Sequence, residues 1–107
     1  MARPAPRPGR PVRGSRTGRP IMALLDLLGR RWVLRILWEL RDGAVPTFRE
    51  LQQRCDGVSS SVLTERLSEL RQAAIVERGD DGYQLTDRGR DLLALLQPME
   101  RWAASWR

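Results

Sequence analysis

Histidine and lysine are absent from this 107-residue chain, and cysteine occurs once, at Cys55. Without histidine there is no Ser–His or Cys–His pair to activate a nucleophile, and a lone thiol cannot assemble a familiar metal site. A single cysteine also excludes an internal disulfide and fits a reducing cytoplasm. Cys55 precedes Asp56, whose carboxylate disfavours a thiolate, so it reads as a packing position rather than a reactive group. No apolar run approaches the roughly 18 residues that a membrane helix needs. The N-terminus is charged throughout and does not have the shape of a secretory signal. With no acid/base or nucleophilic set, the sequence predicts no enzyme, no cofactor and no metal site.

What is abundant is arginine. Six (Arg3, Arg7, Arg10, Arg13, Arg16, Arg19) fall in residues 1–20, which hold no acid; the other thirteen are balanced by thirteen acids, so the net charge of +6 belongs to the tail. Residues 1–20 are otherwise rich in Pro and Gly with little to bury, which predicts a disordered basic tail. Such an arm enters a minor groove or spreads along a nucleic-acid backbone. The bland alternatives are a solubilising extension, or a working start at Met22. The apolar fraction, 41%, is low for a globular chain but concentrated after residue 20. Residues 21–107 therefore read as one domain with a small core, which a partner subunit would help to stabilise.

Within that body, residues 47–78 carry the clearest pattern. Thr47-Phe48-Arg49-Glu50 is a T-x-x-E sequence, in which threonine and glutamate cap a helix start reciprocally. Phe48 and Leu51 are its inward residues, and Asp56-Gly57 ends it. Ser59 then caps a second helix, Ser60–Gln72, with Leu63, Leu67, Leu70 and Ala74 on one stripe. A short helix, a tight turn and a second amphipathic helix make the arrangement that lays a helix in a DNA major groove. Upstream, Ile21, Leu24, Leu25 and Leu28 recur at helical spacing up to Gly29, and Arg31–Arg41 is a further helix of broad apolar surface. Downstream, Ile75–Arg78 and Gly82–Leu85 alternate as short strands around a Gly-Asp-Asp-Gly turn. Thr86 caps a last helix from Asp87 to the end, with Pro98 as the source of a kink. The fold class is mainly α with one β-hairpin: a winged helix-turn-helix with additional N- and C-terminal helices.

The chain resembles the HxlR-type winged-helix transcriptional regulators. The resemblance rests on Leu25-Asp26-Leu27-Leu28-Gly29-Arg30-Arg31-Trp32, Phe48-Arg49-Glu50-Leu51, Gly57-Val58-Ser59, Leu63-Thr64-Glu65-Arg66-Leu67-Ser68-Glu69-Leu70, Val76-Glu77-Arg78 and Tyr83-Gln84-Leu85-Thr86-Asp87-Arg88-Gly89. It covers residues 20–107. It implies a bacterial-type DNA-binding regulator whose terminal helices pair two subunits. Members of the family that sense oxidants carry a cysteine just before the first helix, followed by proline; here Arg19 precedes Pro20, which argues against a thiol switch of that type. The wing is also shorter than is typical, with Asp80 and Asp81 at its tip, where acids face phosphates badly.

Laid out at about 100° per residue, the Ser60–Gln72 helix turns Ser61, Thr64, Glu65, Ser68 and Gln72 outward. Ser60 and Arg71 lie on one flank and Arg66 on the other. Ser60, Ser61, Thr64 and Glu65 are the candidate base-reading residues, with Glu65 as an acceptor from a cytosine amino group. A solvated first turn, with Glu65 favoured by the helix dipole, is the plain alternative. Arg30, Arg31, Arg49, Arg66, Arg71 and Arg78 are the candidate phosphate contacts; surface salt bridges are the alternative for each. Ile21, Leu24, Leu28, Leu95, Met99, Trp102 and Trp106 present more apolar surface than one small domain covers, which predicts a homodimer. The expected partners are double-stranded DNA, a second copy of the chain and an unidentified small-molecule effector. The expected function is sequence-specific regulation on an inverted repeat. A non-specific architectural DNA binder, and a winged-helix protein-interaction module that never touches DNA, stand as alternatives.

Overall fold

The computed structural model describes residues 4–107. Arg3 of the basic tail lies outside the described residues. Six helices and one hairpin follow in the order α1 (Pro20–Leu28), α2 (Val33–Glu39), α3 (Phe48–Arg54), α4 (Ser60–Gln72), β1 (Val76–Arg78), β2 (Tyr83–Leu85), α5 (Asp87–Leu96) and α6 (Pro98–Ser105). Three starts have the expected chemistry. The Thr47 hydroxyl accepts from the Glu50 amide while the Glu50 carboxylate accepts from the Thr47 amide. Ser59 accepts from the Val62 amide to open α4, and Thr86 accepts from the Gly89 amide to open α5. Each cap satisfies a backbone N–H that the first helical turn leaves without a partner.

Three boundaries differ from the sequence expectation, each for a local reason. The helix expected from Arg31 begins at Val33, because Trp32 takes a left-handed conformation (φ 76°) that helical continuation forbids. Ala74, expected on the inward stripe of α4, lies beyond the helix end at φ 58° and is exposed. There the Ile75 amide reaches the Leu70 carbonyl and the Ala74 amide reaches the Arg71 carbonyl, the bond pair of a Schellman stop. The last helix is two helices: Pro98 has no N–H to continue the ladder, and it opens α6 as its first residue.

Leu63, Leu67 and Leu70 of α4 pack with Val33, Ile36 and Leu37 of α2, Leu51 of α3 and Val76 of β1 in one buried cluster. The antiparallel hairpin pairs Val76 with Leu85 and Arg78 with Tyr83. The stretch before α3 joins its edge, since the Tyr83 amide donates to the Pro46 carbonyl at 2.9 Å. Gly82, at φ 154°, is required there, because a Cβ would fall 2.3 Å from that carbonyl oxygen. The result is a winged helix-turn-helix whose α3–α4 pair and wing are fixed to one core. No helix among the described residues is long and apolar enough to cross a membrane.

Composition predicts a disordered tail for residues 1–20. In residues 4–19 the chain doubles back, with Val12 bridged to Ser15 and the Gly9 amide donating to the Gly18 carbonyl at 2.9 Å. The Arg13 amide donates to the Asp26 carboxylate at 3.3 Å, and a Cβ on Gly14 would meet the Met22 side chain, so this turn lies on α1. Further back, the Pro4 carbonyl accepts from the Arg30 guanidinium at 2.7 Å.

Candidate nucleic-acid interface

The centre of the site is the side of α4 that the core does not use. Ser60, Ser61, Thr64, Ser68, Arg71 and Gln72 are exposed, and Glu65 is half-buried. Ser60 accepts from the Gln52 amide group of α3 at 3.0 Å, and Ser68 accepts from Gln72 at 3.1 Å. Thr64 and Ser68 form the midline of this face. At about 100° per residue, Glu65, Glu69 and Gln72 turn to one side of it and Leu67 and Arg71 to the other.

A cleft runs along each side. On the wing side, a cavity of about 430 Å³ lies between Thr64, Ser68 and Arg71 of α4 and Arg78 and Tyr83 of the hairpin. The Arg78 guanidinium sits 5.8 Å from the centre of the Tyr83 ring, which holds it near the cleft. On the opposite side, a cavity of about 500 Å³ has Ser61, Thr64, Glu65 and Ser68 on one wall and Pro4, Arg7 and Arg10 of the N-terminal arm on the other. Arg31 and Arg49 are exposed at the start of α2 and in α3.

Two sequence candidates for phosphate contact have other work. Arg30 is 7% exposed and paired with the buried carboxylate of Glu69, itself 4% exposed. It is an interior residue, which sequence spacing alone does not reveal. Arg66 donates to the Arg31 carbonyl at 2.9 Å and to the second oxygen of Glu69 at 2.8 Å, tying α4 to the entry of α2. Of the tail arginines expected to spread along a nucleic-acid backbone, Arg7 and Arg10 are brought beside α4.

The dimer candidates divide in the same way. Leu28 is buried in the core and Leu24 packs against it. Ile21 and Leu25 face outward on α1, one turn apart, together with Leu34 of α2. Leu25 belongs to the apolar period of α1 without standing apart from its neighbours there. Its spacing of four from Ile21 is the signal that marks it. On the C-terminal side Leu95, Met99, Trp102 and Trp106 are 75%, 62%, 64% and 72% exposed. The Trp102 and Trp106 rings lie 5.6 Å apart and α6 buries no residue of its own.

Residues 27–107 match the family described as HxlR-like helix-turn-helix. YodB, a helix-turn-helix transcriptional regulator of Bacillus subtilis, is 39% identical over 85 residues, which are 73% of this chain and 75% of YodB. YvaP of the same organism, an uncharacterised regulator of that type, is 34% identical over 89 residues, 77% of this chain and 82% of its own. Among solved structures, quinone-bound YodB superposes with a TM-score of 0.74 at 37% identity, covering 81% of this chain and 98% of that one.

Proposed function

This chain belongs to the HxlR-like helix-turn-helix family of DNA-binding transcriptional regulators, and we propose that it acts as a sequence-specific homodimer on an inverted-repeat operator. The observation that carries the reading is the face of α4. Its exposed hydroxyls, Ser61, Thr64 and Ser68, lie between two clefts that each contain arginines, while its opposite side is locked into the core. A helix held this way enters a major groove about 12 Å wide with its polar midline on the base edges. Arg71 and Arg78 then serve the phosphates on the wing side, and Arg31 and Arg49 are exposed for further backbone contacts. Asp80 and Asp81 at the wing tip confine that contact to the base of the hairpin.

The exposed apolar residues of α1, α5 and α6 support a homodimer, since burying Trp102, Trp106, Met99, Leu95, Ile21 and Leu25 against a second copy removes them from water. Two recognition helices related by a two-fold axis read half-sites about 34–36 Å apart. A small-molecule effector fits the same reading. YodB has a quinone-bound form, and this chain has a cavity of about 550 Å³ among Ala23, Leu24 and Leu27 of α1, Ile75, and Leu92 and Leu95 of α5. An effector bound there would act on the helices that pair the subunits. A cytoplasmic, non-enzymatic role follows from the same assignment.

Selection from a pool of random duplexes tests the reading. The wild type should enrich one inverted repeat. Ser61→Ala, Thr64→Ala and Glu65→Ala should each relax preference at one base pair per half-site, at a cost of about 1–3 kcal/mol. Binding without any enriched sequence would make the chain an architectural DNA binder, and no binding at low salt would make it a protein-interaction module.

A further inference from the structure

The cleft on the arm side of α4 is lined by no arginine of the body. A major groove is bounded by two phosphate strands, and a helix lying in it needs positive charge towards both. Towards the wing, Arg71 and Arg78 meet that need. Towards the other side the body offers Glu65 and Glu69, while Arg30 and Arg66 are both engaged with Glu69. The arginines that line that cleft come from the N-terminal arm. Arg7 and Arg10 are exposed and line the cleft that faces Ser61, Thr64, Glu65 and Ser68.

Their position is built, not incidental to a loose tail. Arg30 holds the Pro4 carbonyl at one end of the segment. At the other end, the Gly9–Gly18 bond and the Val12–Ser15 bridge close the following turn on itself, and the Arg13–Asp26 contact fastens it to α1. Pro4, Pro6 and Pro8 restrict the backbone between these two anchors. The three remaining described arginines of the tail, Arg13, Arg16 and Arg19, do not line this cleft.

We infer that residues 4–10 are a second DNA-contacting element, in which Arg7 and Arg10 bind the phosphate strand on the side of α4 opposite the wing. The inference rests on the DNA-binding reading of α4 but assigns a particular surface, and particular arginines, to contacts that a diffuse basic tail would spread over all of them. Arg30 gains a second role: the guanidinium that pairs with Glu69 inside the protein also seats the arm. The element contributes affinity and salt dependence, with base preference left to α4.

Two double variants of equal charge separate the possibilities. Arg7→Ala/Arg10→Ala and Arg13→Ala/Arg16→Ala each remove two charges from exposed positions, so neither threatens the core. Affinity for the selected operator is measured across salt concentrations in the full-length protein. Each phosphate contact contributes about 0.9 to the slope of log affinity against log salt, so Arg7→Ala/Arg10→Ala should flatten the slope by about two. Arg13→Ala/Arg16→Ala should leave it nearly unchanged, and both should keep the wild-type operator. Hydroxyl-radical protection should also recede along one strand for the first variant only. Equal loss from both variants would overturn the assignment in favour of diffuse charge. Tighter binding by Arg7→Ala/Arg10→Ala would overturn it in favour of an obstructing arm. Failure of the wild type to bind any duplex would overturn the DNA reading itself and this inference with it.

Discussion

Arg30, at the junction of α1 and α2, and Glu69, near the end of α4, form an ion pair inside the protein, with Arg66 bonded to the second carboxylate oxygen. The recognition helix is thereby fixed in rotation as well as in position. Leu63, Leu67 and Leu70 set which side of α4 is inward, and Glu69 sets how far it turns towards α2. Removing Glu69 takes away a buried carboxylate that Arg30 and Arg66 share. Glu69→Ala should lower stability by about 3–5 kcal/mol in urea unfolding, a large part of the roughly 5–15 kcal/mol of an ordinary domain. Glu65→Ala, on the half-buried rim, should change stability little. A loss under 1 kcal/mol for Glu69→Ala would show that α4 does not depend on this pair.

Leu95→Glu/Trp102→Glu places charge in the apolar face of α5 and α6. The variant should sediment as a folded monomer at micromolar concentration, where the wild type should sediment as a dimer. Losing the second half-site contact should weaken operator binding on the order of a hundredfold. A monomeric wild type with undiminished operator affinity would remove the two-fold model.

The cap of α3 has a pH signature. The Glu50 carboxylate is held below the ordinary carboxylate range, first by the Thr47 amide that donates to it and then by the Thr47 hydroxyl. A depressed folded value means the interaction stabilises the fold above the unfolded pKa, about 4.3, and is lost as pH falls through the lower folded value. Glu50→Gln keeps a carbonyl acceptor and does not titrate there. The gap in melting temperature between wild type and this variant should be constant at neutral pH and narrow below about pH 4; a gap that persists unchanged into acid would count against the cap as the cause.

Cys55 is fully buried at the end of α3. Burial pushes its thiol up first, and the Glu39 and Asp56 carboxylates add to this while Arg35 opposes it. Alkylation by iodoacetamide at mildly basic pH should be at least about tenfold slower in the native protein than in urea, as expected for a protonated, enclosed thiol. Comparable rates in the two states would place the thiol at the surface.

Ala74 holds a left-handed conformation in the stop of α4. A side chain is disfavoured there by about 1 kcal/mol or more. Ala74→Gly should raise the urea midpoint by an equivalent amount with an unchanged m-value, and a destabilised variant would show that Ala74 contributes packing instead.

Much of the reading surface is legible from spacing alone. Threonine or serine ahead of a leucine stripe, at Thr47, Ser59 and Thr86, set the starts of α3, α4 and α5, because a cap and an inward stripe are both short-range instructions. The outward face of α4 follows from the same stripe, since period alone decides which residues oppose Leu63, Leu67 and Leu70. The hairpin, too, is written locally, in its alternation and its glycine-flanked turn. Ala74 is the exception at this level: without a glycine or asparagine there is no local mark of a left-handed stop, and the Schellman bonds decide it.

Which charges are free is a different kind of information. Arg30 and Arg31 are neighbours with the same side chain, yet one is buried against Glu69 and the other is exposed, because the partner lies 39 positions away. Leu28 and Leu25 share one helical period, and only the packing of α1 on the core separates the buried residue from the exposed one. For residues 4–19, composition shows little to bury and so predicts disorder, but it carries no trace of the Arg30–Pro4 contact that sets Arg7 and Arg10 beside α4. Local pattern is enough for the presence of the helices, for the caps of α3, α4 and α5, for the wing and for the polar face of α4, all consequences of neighbours within a few residues. Packing between elements settles which arginines are paired inside and which are exposed, because electrostatic pairing depends on distances that no local pattern encodes.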